Sequence, residues 1–135
     1  INDIKDNAWD KVEKDIYKVV LASKPVNVKV IMETGLLTED ELYKACKIAQ
    51  KAGAHFVKTA TGYGPRGAEL HDITVMREAV GDSLKIKASG GIHDFETAIA
   101  MLEEGASRIG TSSGLEIIGV QGKTYKKDEK IPYNY

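Results

Sequence analysis

Four short runs along the chain concentrate Val, Ile, Leu and Phe and read as β-strands: residues 28–33, 55–60, 84–89 and 107–112. Their starts fall 27, 29 and 23 residues apart. A strand, a loop and a helix together take about 30 residues, so this spacing predicts parallel strands joined by crossover helices. Between the runs the apolar positions switch to a helical period. Thr38 followed by Glu41 makes a capping box, and Leu42, Ala45, Cys46, Ala49 and Ala52 then form one stripe that Gly53 ends. Ile73, Met76 and Val80 mark a second stripe, closed by Gly81. Asp94 is the expected N-cap of a third helix, with the stripe Phe95, Ala98, Ile99 and Leu102 and Gly105 as its stop. Upstream, Trp9, Val12, Ile16, Val19 and Val20 mark an earlier helix face with Asp6 or Asn7 as its cap, and Ile1-Asn2 reads as the remnant of a strand. No periodicity follows Gly122. The expected organisation is therefore a series of βα units over 1–122 and a surface tail over 123–135.

Val and Ile dominate the strands, as in strands covered on both faces. Each strand also ends in groups suited to chemistry: Glu33-Thr34-Gly35, Lys58-Thr59-Ala60-Thr61-Gly62, Lys87-Ala88-Ser89-Gly90-Gly91 and Gly110-Thr111-Ser112-Ser113-Gly114. An open doubly wound sheet shares the βα alternation. Functional groups at every C-terminal strand end favour an α/β fold of the (β/α)8 TIM-barrel type. A whole barrel takes at least about 200 residues, so a chain of 135 residues is expected to form only about the second half of one. Such a half-barrel would leave strand edges and apolar surface open, and a homo-oligomer is expected. The chain begins at Ile1 rather than Met, which reads as a processed or partly represented chain.

Composition narrows the partners. A net charge of -1 gives no reason to expect nucleic acid or an anionic membrane. Lys123, Lys126, Lys127 and Lys130 are interrupted by Asp128 and Glu129 and read as a solvated tail. The single cysteine, Cys46, excludes an internal disulfide and lies on an apolar helix stripe, so a buried structural thiol is expected. No apolar run has the length of a membrane span and no signal-peptide pattern is visible, which makes a cytoplasmic location the expectation. No His/Cys/Asp spacing points to a metal site. Ser112 and Ser113 lack a His–Asp partnership that would make either a hydrolytic nucleophile.

Two lysines stand out. Lys58 lies in Phe56-Val57-Lys58-Thr59-Ala60, and Lys87 repeats the context one unit later in Ile86-Lys87-Ala88-Ser89. A lysine near the end of a buried strand points into a cleft, snorkels or pairs. On adjacent strands the two would come close together. Like charges and desolvation both favour the neutral amine, and a neutral amine attacks carbonyls. The alternative is a pair of barrel lysines held by carboxylates or solvated at the strand ends. Glu33 would balance this pair, relay protons, or form a structural salt bridge. The turns Ser89-Gly90-Gly91 and Gly110-Thr111-Ser112-Ser113-Gly114 each lead into a helix, where backbone N–H groups and absent side chains suit a phosphate. His93 follows the first of these turns, with a capping or surface role as the alternative. The loop over 61–68 has a flexible composition suited to closing over substrate. Within it, Arg66 would either reach an anion or face solvent.

Taken together, Lys29-Val30-Ile31-Met32-Glu33-Thr34-Gly35, Ala52-Gly53-Ala54-His55-Phe56-Val57-Lys58-Thr59-Ala60-Thr61-Gly62, Lys87-Ala88-Ser89-Gly90-Gly91-Ile92 and Arg108-Ile109-Gly110-Thr111-Ser112-Ser113 resemble the deoxyribose-phosphate aldolase family, from about Ile1 to Gly119. The resemblance implies a class I lyase of deoxyribonucleotide catabolism that reversibly cleaves 2-deoxy-D-ribose 5-phosphate to D-glyceraldehyde 3-phosphate and acetaldehyde. It makes Lys58 the Schiff-base lysine and Lys87 the lysine that tunes it. Gly62, Gly90, Gly91, Ser112 and Ser113 would hold substrate or phosphate, with no metal or organic cofactor. The family's proton-relay aspartate would lie just before residue 1 and its first strands earlier still. His93 stands where some members have arginine, and Ala60 where serine is common. Some members use a C-terminal tyrosine for proton transfer, and Tyr135 ends this chain. The competing reading is a non-catalytic half-barrel that binds phosphate or self-associates. A phosphate-binding isomerase barrel would account for the glycine loops but not for two strand-end lysines.

Overall fold

The computed structural model describes residues 1–119. The predicted tail over 123–135, with its lysines and Tyr135, lies outside the described residues. The chain alternates helix and strand: α1 (Asn2–Lys5), α2 (Trp9–Ala22), β1 (Lys29–Ile31), α3 (Glu39–Lys51), β2 (Phe56–Lys58), α4 (Leu70–Val80), β3 (Lys85–Ser89), α5 (Phe95–Glu104), β4 (Arg108–Gly110) and α6 (Gly114–Gly119). All four strands are parallel and pair in chain order β1-β2-β3-β4. Sequential parallel order with a helix between each pair is the barrel arrangement. No helix among the described residues is long and apolar enough to cross a membrane.

The core lies between the sheet and the helices. Val57, Ile86 and Ala88 turn one strand face toward Cys46, Ala49, Ile73, Met76, Ala98 and Met101, and all of these are buried. Period-2 alternation then sends Phe56, Lys58, Lys87 and Arg108 to the opposite, concave face. The helix ends follow local rules. Thr38 accepts from the Glu41 N–H at 3.3 Å while the Glu41 carboxylate accepts from the Thr38 N–H at 2.8 Å, completing the expected capping box. Asp94 accepts from the Thr97 N–H at 2.7 Å and caps α5, and Gly81 and Gly105 close α4 and α5. Cys46 is fully buried, and burial pushes its thiol up to about 12, so it is the structural thiol its position suggested.

The N-terminal region departs from expectation. Residues 2–5 form a helical turn rather than a strand remnant, because Ile4 is buried in the core and the N–H groups of Ile4 and Lys5 bond back to the Ile1 carbonyl. Neither Asp6 nor Asn7 caps α2. Its N-cap is Ala8, and the Asn7 amide oxygen accepts instead from the Trp9 indole N–H at 3.3 Å. Val19 is exposed while Val20 is buried. Two apolar neighbours on a helix point about 100° apart, and only one of them reaches the core.

Candidate active site

The loops at the C-terminal ends of β2, β3 and β4 enclose a cleft of about 420 Å3. Lys58, Lys87, Gly62, Gly90, Gly91 and Ser112 all line it. Ser113 stands one step back, its hydroxyl 3.1 Å from His93 Nδ1, and His93 itself lines the cleft. Six residues scattered over 55 positions of sequence thus share one wall system because parallel strands in sequential register deliver every C-terminal end to the same rim.

The two lysines are register partners. Lys58 pairs with Lys87 across β2 and β3, and Lys87 pairs with Arg108 across β3 and β4. Three cationic side chains therefore stand in one row on the concave face. One row below, Lys29 is the register partner of Phe56, and Lys29 and Arg108 both lie over the Phe56 ring, with Lys29 Nζ 5.3 Å and Arg108 Cζ 4.5 Å from its centroid. Burial first, and then the charges of Lys87, Arg108 and Lys58, hold the Lys29 amine below its ordinary value. This strand face therefore carries a positive potential suited to an anion. Lys87 owes its path to Gly110, because a Cβ there would come within 2.6 Å of Lys87 Cε and 3.2 Å of its Nζ.

The strand tips are knitted by buried hydroxyls. Thr59 Oγ1 donates to the Ser89 carbonyl at 2.9 Å and accepts from the Ser89 N–H at 2.9 Å, while Ser89 Oγ donates to the Ala60 carbonyl at 2.6 Å. These bonds lock β2 to β3 one residue beyond the lysine pair. The sequence places Thr59 and Ser89 among the polar strand-end groups, but their bonding across the two strands is decided by the fold.

Two expectations are corrected. Glu33 forms no ion pair with either lysine among the described residues. Its carboxylate accepts from the Thr61 N–H at 3.2 Å and from Thr61 Oγ1 at 2.5 Å. Arg66 is only partly exposed and does not line the cleft: it makes a two-pronged ion pair with Asp72, at 2.7 and 2.9 Å. Asp72 is 3% exposed and also accepts from Thr34 Oγ1 at 2.9 Å and the Glu69 N–H at 3.0 Å. Burial alone would raise its carboxyl. Arg66, the Glu69 N–H and Thr34 outweigh that and hold it below the ordinary carboxylate value. The loop over 61–68 is accordingly fastened at three points, Thr61, Arg66 and the Ala68 N–H, which donates to the Gly90 carbonyl at 2.9 Å. Elsewhere, His55 Nδ1 accepts from the Val28 N–H at 3.1 Å, and His71 pairs with Glu39 at 2.8 Å on the surface. Among the described residues, no three His, Cys, Asp or Glu side chains are placed to hold a metal ion.

A sequentially wound parallel sheet, with paired lysines and glycine-rich turns at its C-terminal rim, defines part of a (β/α) barrel. Known proteins place it further. The model of the DeoC/LacD family aldolases matches residues 6–119, and the chain belongs to that family. A deoxyribose-phosphate aldolase of Staphylococcus epidermidis is 50% identical over 125 residues, covering 92% of this chain and 57% of the relative. One from Thermococcus gammatolerans is 51% identical over 120 residues, covering 87% and 53%. Among solved structures, the aldolase QR15 superposes with a TM-score of 0.82 at 43% identity, covering 86% of this chain and 52% of that one. A deoxyribose phosphate aldolase from Aeropyrum pernix, described as a unique tetramer, superposes at 0.72 with 30% identity, covering 78% and 46%. The chain thus spans about half the length of the curated relatives it matches.

Proposed function

We propose that this chain carries the lysine-bearing half of a Schiff-base aldolase site that cleaves 2-deoxy-D-ribose 5-phosphate reversibly to D-glyceraldehyde 3-phosphate and acetaldehyde. The observation that carries the reading is the register pairing of Lys58 with Lys87 at the mouth of a cleft whose other walls are the glycine turns. Lys58 attacks the C1 carbonyl of the open-chain sugar, and loss of water leaves an iminium. The iminium draws in the electrons of the C2–C3 bond as the C3 hydroxyl loses its proton, releasing glyceraldehyde 3-phosphate and leaving an enamine on Lys58. Protonation of that enamine at carbon and hydrolysis then return the free lysine and acetaldehyde.

Lys87 stands beside Lys58 in strand register and lines the same cleft, where it can contact the substrate or the reacting amine. The turn at Gly90-Gly91, both with left-handed φ (90° and 73°), and Ser112 offer backbone and hydroxyl donors for the phosphate. Gly62 forms the facing wall, and Ser113 supports His93 from behind. The cationic row of Lys58, Lys87 and Arg108 favours the dianionic end of such a substrate. β1 and β4 each have one strand neighbour among the described residues, which supports assembly with further copies or strands.

Borohydride reduction in the presence of acetaldehyde tests the reading. The expected result is a reduced two-carbon adduct mapped to Lys58 and absent from Lys58→Leu. A folded chain that yields no adduct at Lys58 would refute the assignment and leave a phosphate-binding or self-associating half-barrel.

A further inference from the structure

We infer that Glu33 is a positioning residue that sets the substrate-facing wall of the cleft by gripping Thr61. Glu33 sits two residues past the end of β1 with φ 54° and ψ 61°, a left-handed conformation that a side chain of its size rarely adopts. Strain of this kind persists where surrounding structure enforces it, and it concentrates at functional sites. The product of the strain is visible. The twisted backbone aims the carboxylate at the loop that follows β2, where it accepts both the N–H and the hydroxyl of Thr61. Thr61 Oγ1 in turn accepts from the Tyr63 N–H at 3.1 Å. One carboxylate thereby fixes the turn over 61–63, and all three residues of that turn line the cleft beside Lys58. The far side of the carboxylate is closed by Gly64, where a Cβ would lie 2.5 Å from Glu33 Oε1 and 2.9 Å from Cδ. Space at Gly64 is therefore a condition of the grip.

The chemical part of this inference rests on the Schiff-base reading above, and the structural part does not. Three variants separate them. Glu33→Gly accepts the left-handed backbone without steric cost but has no acceptor for Thr61. Glu33→Gln keeps an oxygen acceptor, and Gly64→Ala displaces the carboxylate while leaving it in place chemically. Hydrogen exchange read by mass spectrometry on the peptide spanning 59–66 should show faster exchange in Glu33→Gly and Gly64→Ala, with most protection retained in Glu33→Gln. Borohydride trapping at Lys58 is then titrated with 2-deoxyribose 5-phosphate and, separately, with acetaldehyde. The sugar phosphate concentration for half-maximal trapping should rise about fivefold in Glu33→Gly, the size of one lost hydrogen bond, and by more than the corresponding change for acetaldehyde. Exchange in Glu33→Gly that matches the unaltered chain would overturn the grip. Equal changes for the two carbonyl compounds would overturn the positioning role. If the unaltered chain traps neither compound at Lys58, the Schiff-base reading fails, and the exchange measurement alone decides the grip.

Discussion

Replacing Asp72 tests how the loop over 61–69 is held. In Asp72→Asn the shape is kept, but the charge and one acceptor position are lost. The carboxylate now serves four donors: Arg66 Nη1 and Nη2, Thr34 Oγ1 and the Glu69 N–H. Thr34 Oγ1, the Glu69 N–H and Arg66 Nη1 all bond Oδ2, so an Asn oxygen in that place keeps them, while its NH2 group in the place of Oδ1 faces the donor Arg66 Nη2. Position 72 is 3% exposed, so an NH2 group turned against another donor there is not satisfied by water, and such a loss costs about 1–3 kcal/mol. The Arg66 side chain is 34% exposed and rehydrates in part, so its contribution is discounted to about 1 kcal/mol or less. A destabilisation of about 2–3 kcal/mol follows, and at roughly 3–5 °C per kcal/mol for a domain of this size the melting temperature should fall by about 10 °C. The sign of the pH dependence is defined. The Asp72 carboxyl is held below its ordinary 3.8 in the fold, so its stabilisation is present above that value and is lost as the pH falls through the lower, folded one. Asn does not titrate. The gap between the two melting curves, followed by circular dichroism, should therefore be largest at neutral pH and close progressively below about pH 4. A variant that melts within about 1 °C of the unaltered chain at pH 7, or a gap that stays constant into strong acid, would refute this account.

Three further outcomes are expected. Gly110→Ala should drive Lys87 from its path, since the new Cβ meets Lys87 Cε at 2.6 Å; borohydride trapping at Lys58 should slow by about tenfold or more, as expected for a displaced reactive group, while circular dichroism still reports a folded chain. Thr38→Ala removes the oxygen that accepts the Glu41 N–H; thermal melts should show a loss of about 1 kcal/mol. The Glu39 carboxylate, by hydrogen bond and then by charge, raises the His71 imidazole above its ordinary value. A proton NMR titration of Glu39→Gln should move the His71 midpoint downward, and any stabilisation from this pair is present at low pH and lost as the pH rises through the folded value.

What the sequence determined by itself is what short-range patterns encode. Runs that concentrate Val, Ile, Leu and Phe located all four strands within about two residues, because strands covered on both faces are apolar nearly throughout. Thr38 with Glu41, and Asp94, marked the starts of α3 and α5, because a cap is made within one turn. Val19 failed because helical period alone does not say which of two apolar neighbours has a partner. The N-terminal turn over 2–5 was missed because its reason for folding, Ile4 in the core, is a long-range contact. The site divides along the same line. Lys58 and Lys87 were conspicuous because a cation in an apolar strand is locally anomalous, and the glycine turns because glycine has a local conformational role. The partners of Glu33 and Arg66 were decided only by tertiary structure. Thr61 lies 28 residues beyond Glu33, brought opposite by the β1–β2 register. Asp72 follows Arg66 by only six residues, yet it accepts that ion pair because burial beside Thr34 takes water away from its carboxylate. Residue type carries charge and hydrogen-bonding capacity along the chain. Which capacity finds which partner depends on strand register and exclusion of water, and those exist only once the chain has folded.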